Sequence, residues 1–242
     1  MATVSFNNQA SKTAAPAEVP AAPATQQLVV VANDATYVDN GVEGEISPGD
    51  IRLPRINLVQ RVGDLCNDFH PGSFLFNKEV LLSEGKNPIE ITALRLKKVY
   101  QQNLPYGSQE TPVSFNTAAE MQEFGGSLVY GADNPFGEVA HVQVAIVRPV
   151  DCPEEMEALF HYDFNGKCYA LAIWTLKSSG FTSVGKTLIT AANTLLRSGL
   201  HTGKYMLTSE LRKKAQNSWF VPLVKFAGKH SAEEAAFLAG LK

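Results

Sequence analysis

Asn165-Gly166 is the strongest short-range folding signal in this chain, because a two-residue hairpin loop requires positive φ at both positions and this dipeptide supplies it. Phe160 to Asp163 and Lys167 to Leu176 flank it as candidate strands, which commits this region to antiparallel sheet. Similar signals recur. Ser73 to Leu82, turned at Asn77, and Ile89 to Tyr100 carry β-favouring or apolar side chains, and HVQVAIVRPV (141–150) alternates cleanly in its first half. KYMLTSEL (204–211) and SWFVPLVKF (218–226) form a second hairpin across RKKAQN, with Pro222 marking an edge strand or bulge. IRLPRINLVQRV (51–62) is a short amphipathic lead-in interrupted by Pro54.

Three segments read as helices. Thr117 with Glu120 makes a capping box for a short helix ended by Gly125 and Gly126, and Ser231 with Glu234 makes another for a C-terminal helix, SAEEAAFLAGLK. SVGKTLITAANTLLRSG (183–199) has helical periodicity, with Val184, Leu188, Ala191, Ala192 and Leu195 on one stripe and Lys186, Thr190, Asn193 and Arg197 on the other. Many strands, few helices and no βαβ alternation predict a mostly β or α+β fold. The order strand, strand, helix, hairpin is compatible with an OB-like antiparallel barrel whose one main helix lies between the third and fourth strands.

The expected organisation is an acidic, Ala/Pro-rich disordered tail over 1–45, a nucleic-acid-binding OB-like domain over 46–228, and a C-terminal helix over 229–242. The first residues hold almost no large apolar side chains and cannot offset their ordering entropy. After Lys12 no base occurs until Arg52, while Glu18, Asp34, Asp39, Glu43, Glu45 and Asp50 accumulate. Leu28 to Ala32 is a short apolar run that could dock as a strand.

Charge is segregated. Lys167 to Lys229 holds ten Lys or Arg against the single carboxylate Glu210, a net +9; the other eleven bases and twenty-three acids net −12. Such separation points to a polyanion site. Tyr169, Trp174, Phe181, Tyr205, Trp219, Phe220 and Phe226 interleave with these cations, a combination suited to the unstacked bases of a single strand, and equally to a solvated basic face over an ordinary core. On a strand Trp219 and Phe220 must point to opposite faces; the apolar phase Phe220, Pro222, Val224, Phe226 is expected to face the core, leaving Trp219 and Lys225 outside.

No run approaches the roughly 18 apolar residues of a membrane helix, and the N-terminus has no secretory pattern, so a cytoplasmic location is expected. Cys66, Cys152 and Cys168 form no C-x-x-C pair, and no two histidines have i, i+4 spacing; neither a metal site nor any other cofactor is expected. Cys168 and His161 could face one another across the Asn165-Gly166 hairpin, and Glu154, Glu155 and Glu157 read as a solvated turn.

Gly180 to Thr187, GFTSVGKT, matches the phosphate-loop pattern letter for letter between a candidate strand and a candidate helix. A hydrolysing core would need parallel strands and a magnesium-positioning Asp closing a second strand, and the acids after Thr187 are Glu210, Glu233 and Glu234. A P-loop nucleotide-binding protein is therefore the runner-up, with Ser183 as helix N-cap and Lys186 on a basic helical face as the plainer reading.

HPGSFLFNKEVLL, LAIWTLKSSGFTSVGKTLITAANTLL and GKYMLTSELRKKAQNSWFVPLVKF, taken in order over about Phe69 to Gly228, resemble the single-stranded DNA-binding proteins of tailed bacteriophages. Tyr205, Leu207 and Ser209 match one characteristic strand, and Trp219, Phe220, Pro222 and Val224 the next. The resemblance implies an OB-type fold, sequence-tolerant binding without catalysis, and an acidic tail that competes with DNA and recruits replication partners; here the acidic arm is N-terminal instead. The expected function is single-stranded DNA binding in phage-type replication or recombination, with single-stranded DNA and replication or recombination proteins as partners and a homo-oligomer left open. A virion or assembly protein is the third reading. Nucleic-acid contact is assigned to Lys97, Lys98, Tyr100, Lys177, Lys186, Arg197, Lys204, Tyr205, Arg212, Lys213, Lys214, Trp219 and Lys225.

Overall fold

The computed structural model describes residues 54–105, 108–129 and 131–242; the expected tail and the run Leu28 to Ala32 lie outside them. In chain order come β1 (Ile56–Leu58), α1 (Leu65–Asp68), β2 (Phe74–Phe76), β3 (Val80–Ser83), β4 (Ile89–Gln102), β5 (Ser114–Phe115), α2 (Ala118–Glu123) and β6 (Phe136–Val147). Then follow α3 (Glu154–Glu157), β7 (Tyr162–Phe164), β8 (Lys167–Lys177), α4 (Ser178–Gly180), a π-turn (Phe181–Gly185), α5 (Lys186–Thr194), β9 (Gly203–Lys214), β10 (Asn217–Lys229) and α6 (Ala232–Gly240). The fold is mostly β and antiparallel throughout its named strand pairs.

The main sheet runs β10-β9-β4-β6-β8-β7, with β5 beside the end of β4. β4, β6 and β8 form a meander, and β9 returns to lie beside β4, which is Greek-key order; β10 then pairs with β9. Turn chemistry sets the two predicted hairpins. Asn165 and Gly166 have φ 52 and 82, and Asn77 and Lys78 take positive φ between β2 and β3. The second hairpin is tighter than RKKAQN suggested: Arg212 to Lys214 belong to β9, leaving Ala215 and Gln216 as the turn.

Strand alternation divides the side chains. Ala140, Val142, Val144 and Ile146 of β6 join Ala170, Ala172, Trp174 and Leu176 of β8 in the main core, which the π-turn and α5 cover with Phe181, Val184 and Leu188. The opposite face carries Leu94, Ala145, Tyr169 and Leu171, on which α6 sets Leu238, Phe237 and Leu241. The C-terminal helix is thus packed into the domain rather than appended to it. Its predicted capping box is half formed: Ser231 accepts from the Glu234 N–H, while the Glu234 carboxylate turns inward.

The β10 edge is closed by side chains. The Gln60 amide both accepts from the Phe220 N–H and donates to its carbonyl, and Ser183 Oγ donates to the carbonyl of Pro222. At the other end of the same segment, the Ile173 N–H donates to Pro54 and Arg55 bridges Ile173. Residues 54–60 thereby touch both β8 and β10. The loop before β4 is clamped to β9 because Gly85, at φ 79, brings its backbone against the Gly72 carbonyl, where any Cβ would collide.

Candidate nucleic-acid interface

The outer face of β4, β6 and β8 is only half covered. α6 stops at Leu241, whose carbonyl accepts from Gln143 Nε2. Beyond Gln143 the cross-strand rows are Arg95, Gln143, Ile173; then Lys97, His141, Thr175; then Val99, Val139, Lys177. Arg55 adjoins the first row through its bridge to Ile173. Arg55, Arg95, Lys97 and Lys177 are all exposed, and among the described residues none of them forms an ion pair.

His141 lies at the middle of this cluster, half-buried, with Nδ1 3.2 Å from Thr175 Oγ1. Its pKa is lowered first by burial and then by the positive charges of Lys177, Lys97 and Arg55. Four free cations around a neutral imidazole form a patch whose mutual repulsion a bound anion would relieve.

Lys98 and Tyr100 lie elsewhere. Neighbours on a strand face opposite ways, so Lys98 points from Lys97 to the other side, 2.5 Å from Glu138 and 4.9 Å from the Tyr100 ring centroid. Glu138 first, then Tyr100, raises its pKa; this cation already has its partner. Lys167 is likewise occupied: Nζ lies 2.6 Å from Glu90 and 2.8 Å from Glu234. Tyr169 also bonds Glu234, His230 Nδ1 lies 3.0 Å from it, and Thr92 Oγ1 is 2.7 Å from His230 Nε2. Glu90, His230 and Glu234 offer ligand atoms within 4.8 Å of one another, but the ammonium of Lys167 already sits on both carboxylates, and the cluster fastens α6 to the sheet.

The aromatic assignment needs correction. Tyr205 is fully buried in the core with its ring 5.7 Å from Phe226, and burial pushes its phenol up to about 12, so it offers no face to a base. Tyr169, Trp174 and Phe181 are buried too. The interleaving of aromatics with cations is mostly strand alternation between core and surface. Trp219 is half-buried opposite Arg212, on the same face as exposed Lys225, while Val224 and Phe226 pack against the core as the apolar phase predicts; the division is not complete, because Val221, in phase with Trp219, is fully buried and Phe220 is only half-buried.

The remaining cations lie on other elements. Arg212, Lys213 and Lys214 are exposed near the tip of the β9–β10 ribbon, which beyond Leu207 pairs with no other strand. Lys204 is half-buried in β9, Lys186 is exposed on α5, and Arg197 is exposed beyond its end. Arg61, whose Nη1 donates to Ser218 Oγ, joins the end of segment 54–60 to the ribbon near its tip, since Ser218 pairs with Lys213.

Gly180 to Thr187 is helical and forms no phosphate-cradling loop. Gly180 and Gly185 have φ/ψ of −64/−43 and −56/−50, the Lys186 N–H donates to the Phe181 carbonyl, and Thr187 Oγ1 donates to the Ser183 carbonyl. β8, which leads into it, is antiparallel to both neighbours. Ser183 is not an N-cap: the chain turns in at Ser178, whose φ is 48, is helical by Gly180, and Ser183 Oγ donates back to the Ser179 carbonyl. Cys168 pairs across the hairpin with Asp163, its Sγ 3.6 Å from Oδ2, rather than with His161.

No family model matches the chain, and no curated protein or solved structure matches it. Among the described residues no helix is long and apolar enough to cross a membrane.

Proposed function

We propose that this chain is a non-enzymatic, sequence-tolerant single-stranded DNA-binding protein of OB type, serving phage-type replication or recombination in the cytoplasm. The observation that carries the reading is the unpaired cation cluster around His141 of β6 on the outer face of the meander, with Arg95 and Lys97 on β4, Lys177 on β8 and Arg55 beside Ile173. β6 and β8 are the second and third strands of the Greek-key meander, and in OB folds the face of those strands and particular loops bind oligonucleotides. The helix between β8 and β9, together with segment 54–60 bridging β8 and β10, supports closure into a barrel. Arg212, Lys214, Trp219 and Lys225 add a second set of cations with one aromatic on β9 and β10, on the face that also carries exposed Glu210 and buried Val221.

A fluorescence titration with oligo-dT at two salt concentrations tests the reading. Trp174 is buried and Trp219 half-exposed, so the signal reports Trp219. Each phosphate neutralised contributes about 0.7 to the log-affinity against log-salt slope, so several contacts give a steep fall. Binding that ignores salt, or no binding, refutes it.

A further inference from the structure

Two exposed patches of opposite charge leave opposite ends of β4. The β4–β6 connection follows Gln102; between Lys98 and His141 the sequence holds no Lys, Arg or His, while Glu110, Glu120, Glu123, Asp133 and Glu138 all fall there. On it Val113, Phe124, Leu128 and Val129 are 37, 52, 49 and 70% exposed, raised on the Phe115 and Phe136 rings that back Phe124. At the other end the β9–β10 ribbon runs past Ile89. Its Leu211 and Lys213 share one face with Ser218, to which Arg61 bonds, and Val62 beside Arg61 is 83% exposed. Six of the nine exposed large apolar side chains among the described residues belong to these two patches, which is more than scattered surface residues explain.

We propose that copies of this chain associate head to tail, the acidic apolar face of the β4–β6 connection seating on the basic apolar face of the next copy's ribbon. An acidic patch repels a nucleic acid, and its complement in both charge and apolarity is on the same chain. The connection leaves β4 at Gln102 while the ribbon continues past Ile89, and among the described residues no ion pair joins Glu110 or Glu123 to Arg61 or Lys213, so these charges have no partner within the protomer. The contact is heterologous, joining two different surfaces, so it propagates from copy to copy into an open chain or a ring as the rotation between copies dictates. It does not rest on the DNA-binding reading, because Leu211 and Lys213 lie on the ribbon face opposite Arg212, Lys214 and Trp219.

Sedimentation velocity of the full chain without nucleic acid, across a concentration series at low and high salt, tests this. The wild type should form a concentration-dependent ladder of species that salt dissolves. Glu110→Lys with Glu123→Lys should give a monomer, and so should Arg61→Glu with Lys213→Glu, each melting as the wild type does. An equimolar mixture of the two variants, and a single chain carrying all four reversals, should associate again. A wild type monomeric throughout the low-salt series, variants that still associate, or reversals that fail to restore one another would each overturn the proposal.

Discussion

At the residue scale the informative groups are those whose partners are missing. His141 is held neutral by burial and by Lys177, Lys97 and Arg55; a bound phosphate would offset those charges and raise its pKa. Binding then takes up a proton, so affinity should rise as pH falls through the histidine range and level off below the lowered pKa of the free protein. His141→Gln should flatten that rise while leaving binding at pH 8 nearly unchanged, as a titration series would read directly. Trp219 and Phe220 divide differently. Trp219→Ala should cost about 1 to 3 kcal/mol of single-strand affinity with little loss of stability. Half-buried Phe220, lying over Gly72, should instead cost about 2 to 3 kcal/mol of folding stability, below the range of a fully buried Phe. Their phase was legible because a strand alternates. The separation of Lys97 from Lys98 follows from the same rule, yet the two were assigned together, and Arg95, two residues before Lys97 and on its face, was missed because the bulge after Ala93 breaks the alternation that leads up to it.

At the scale of elements, the hairpins and capping boxes were legible because their signals are local: Asn165-Gly166, Asn77 and Thr117 with Glu120 all act within a few residues. The body of the helix between β8 and β9 was legible too, with Val184, Leu188 and Ala191 entering the core as their stripe predicts, but its early start, its π-turn and its end at Thr194 were not, since these depend on tertiary contact. Gly185 sits where a Cβ would lie 2.7 Å from the Phe181 ring, and Leu196 rather than Leu195 enters the core because the helix ends at Thr194. Gly185→Ala should therefore destabilise by about 1 to 3 kcal/mol in a thermal melt. Lys186→Ala should weaken oligo-dT binding only modestly, and equilibrium dialysis should find no magnesium-dependent ATP or GTP binding in either protein. Nucleotide binding lost in this variant would restore the phosphate-loop reading.

At the scale of the whole molecule, α6 is held by one polar cluster across the sheet, and none of its pairings is local in sequence except His230 with Glu234. Burial alone would raise the Glu234 pKa, but Lys167, Tyr169 and His230 outweigh it and hold it at about 2. This contributes stability on the order of 3 kcal/mol, present above the ordinary carboxylate pKa and lost as pH falls toward 2. His230, kept neutral by burial, begins the decline earlier, because below about 6.5 the unfolded chain binds a proton that the folded one resists. Acid unfolding should thus begin below neutrality and steepen under pH 4.5, and Lys167→Met should remove most of the steeper part. The mostly β antiparallel class was legible from alternation and turns; the Greek-key order and the half-covered outer face were not, since both arise from pairings between segments far apart in the chain. If that half-covered face holds the strand, it is read most directly in the salt slope of oligo-dT binding for the wild type and for Lys97→Ala with Lys177→Ala. The double variant should show a slope shallower by about 1.4 and weaker binding at low salt, with an unchanged melt. An identical slope in the two proteins would mean that the strand does not bind there.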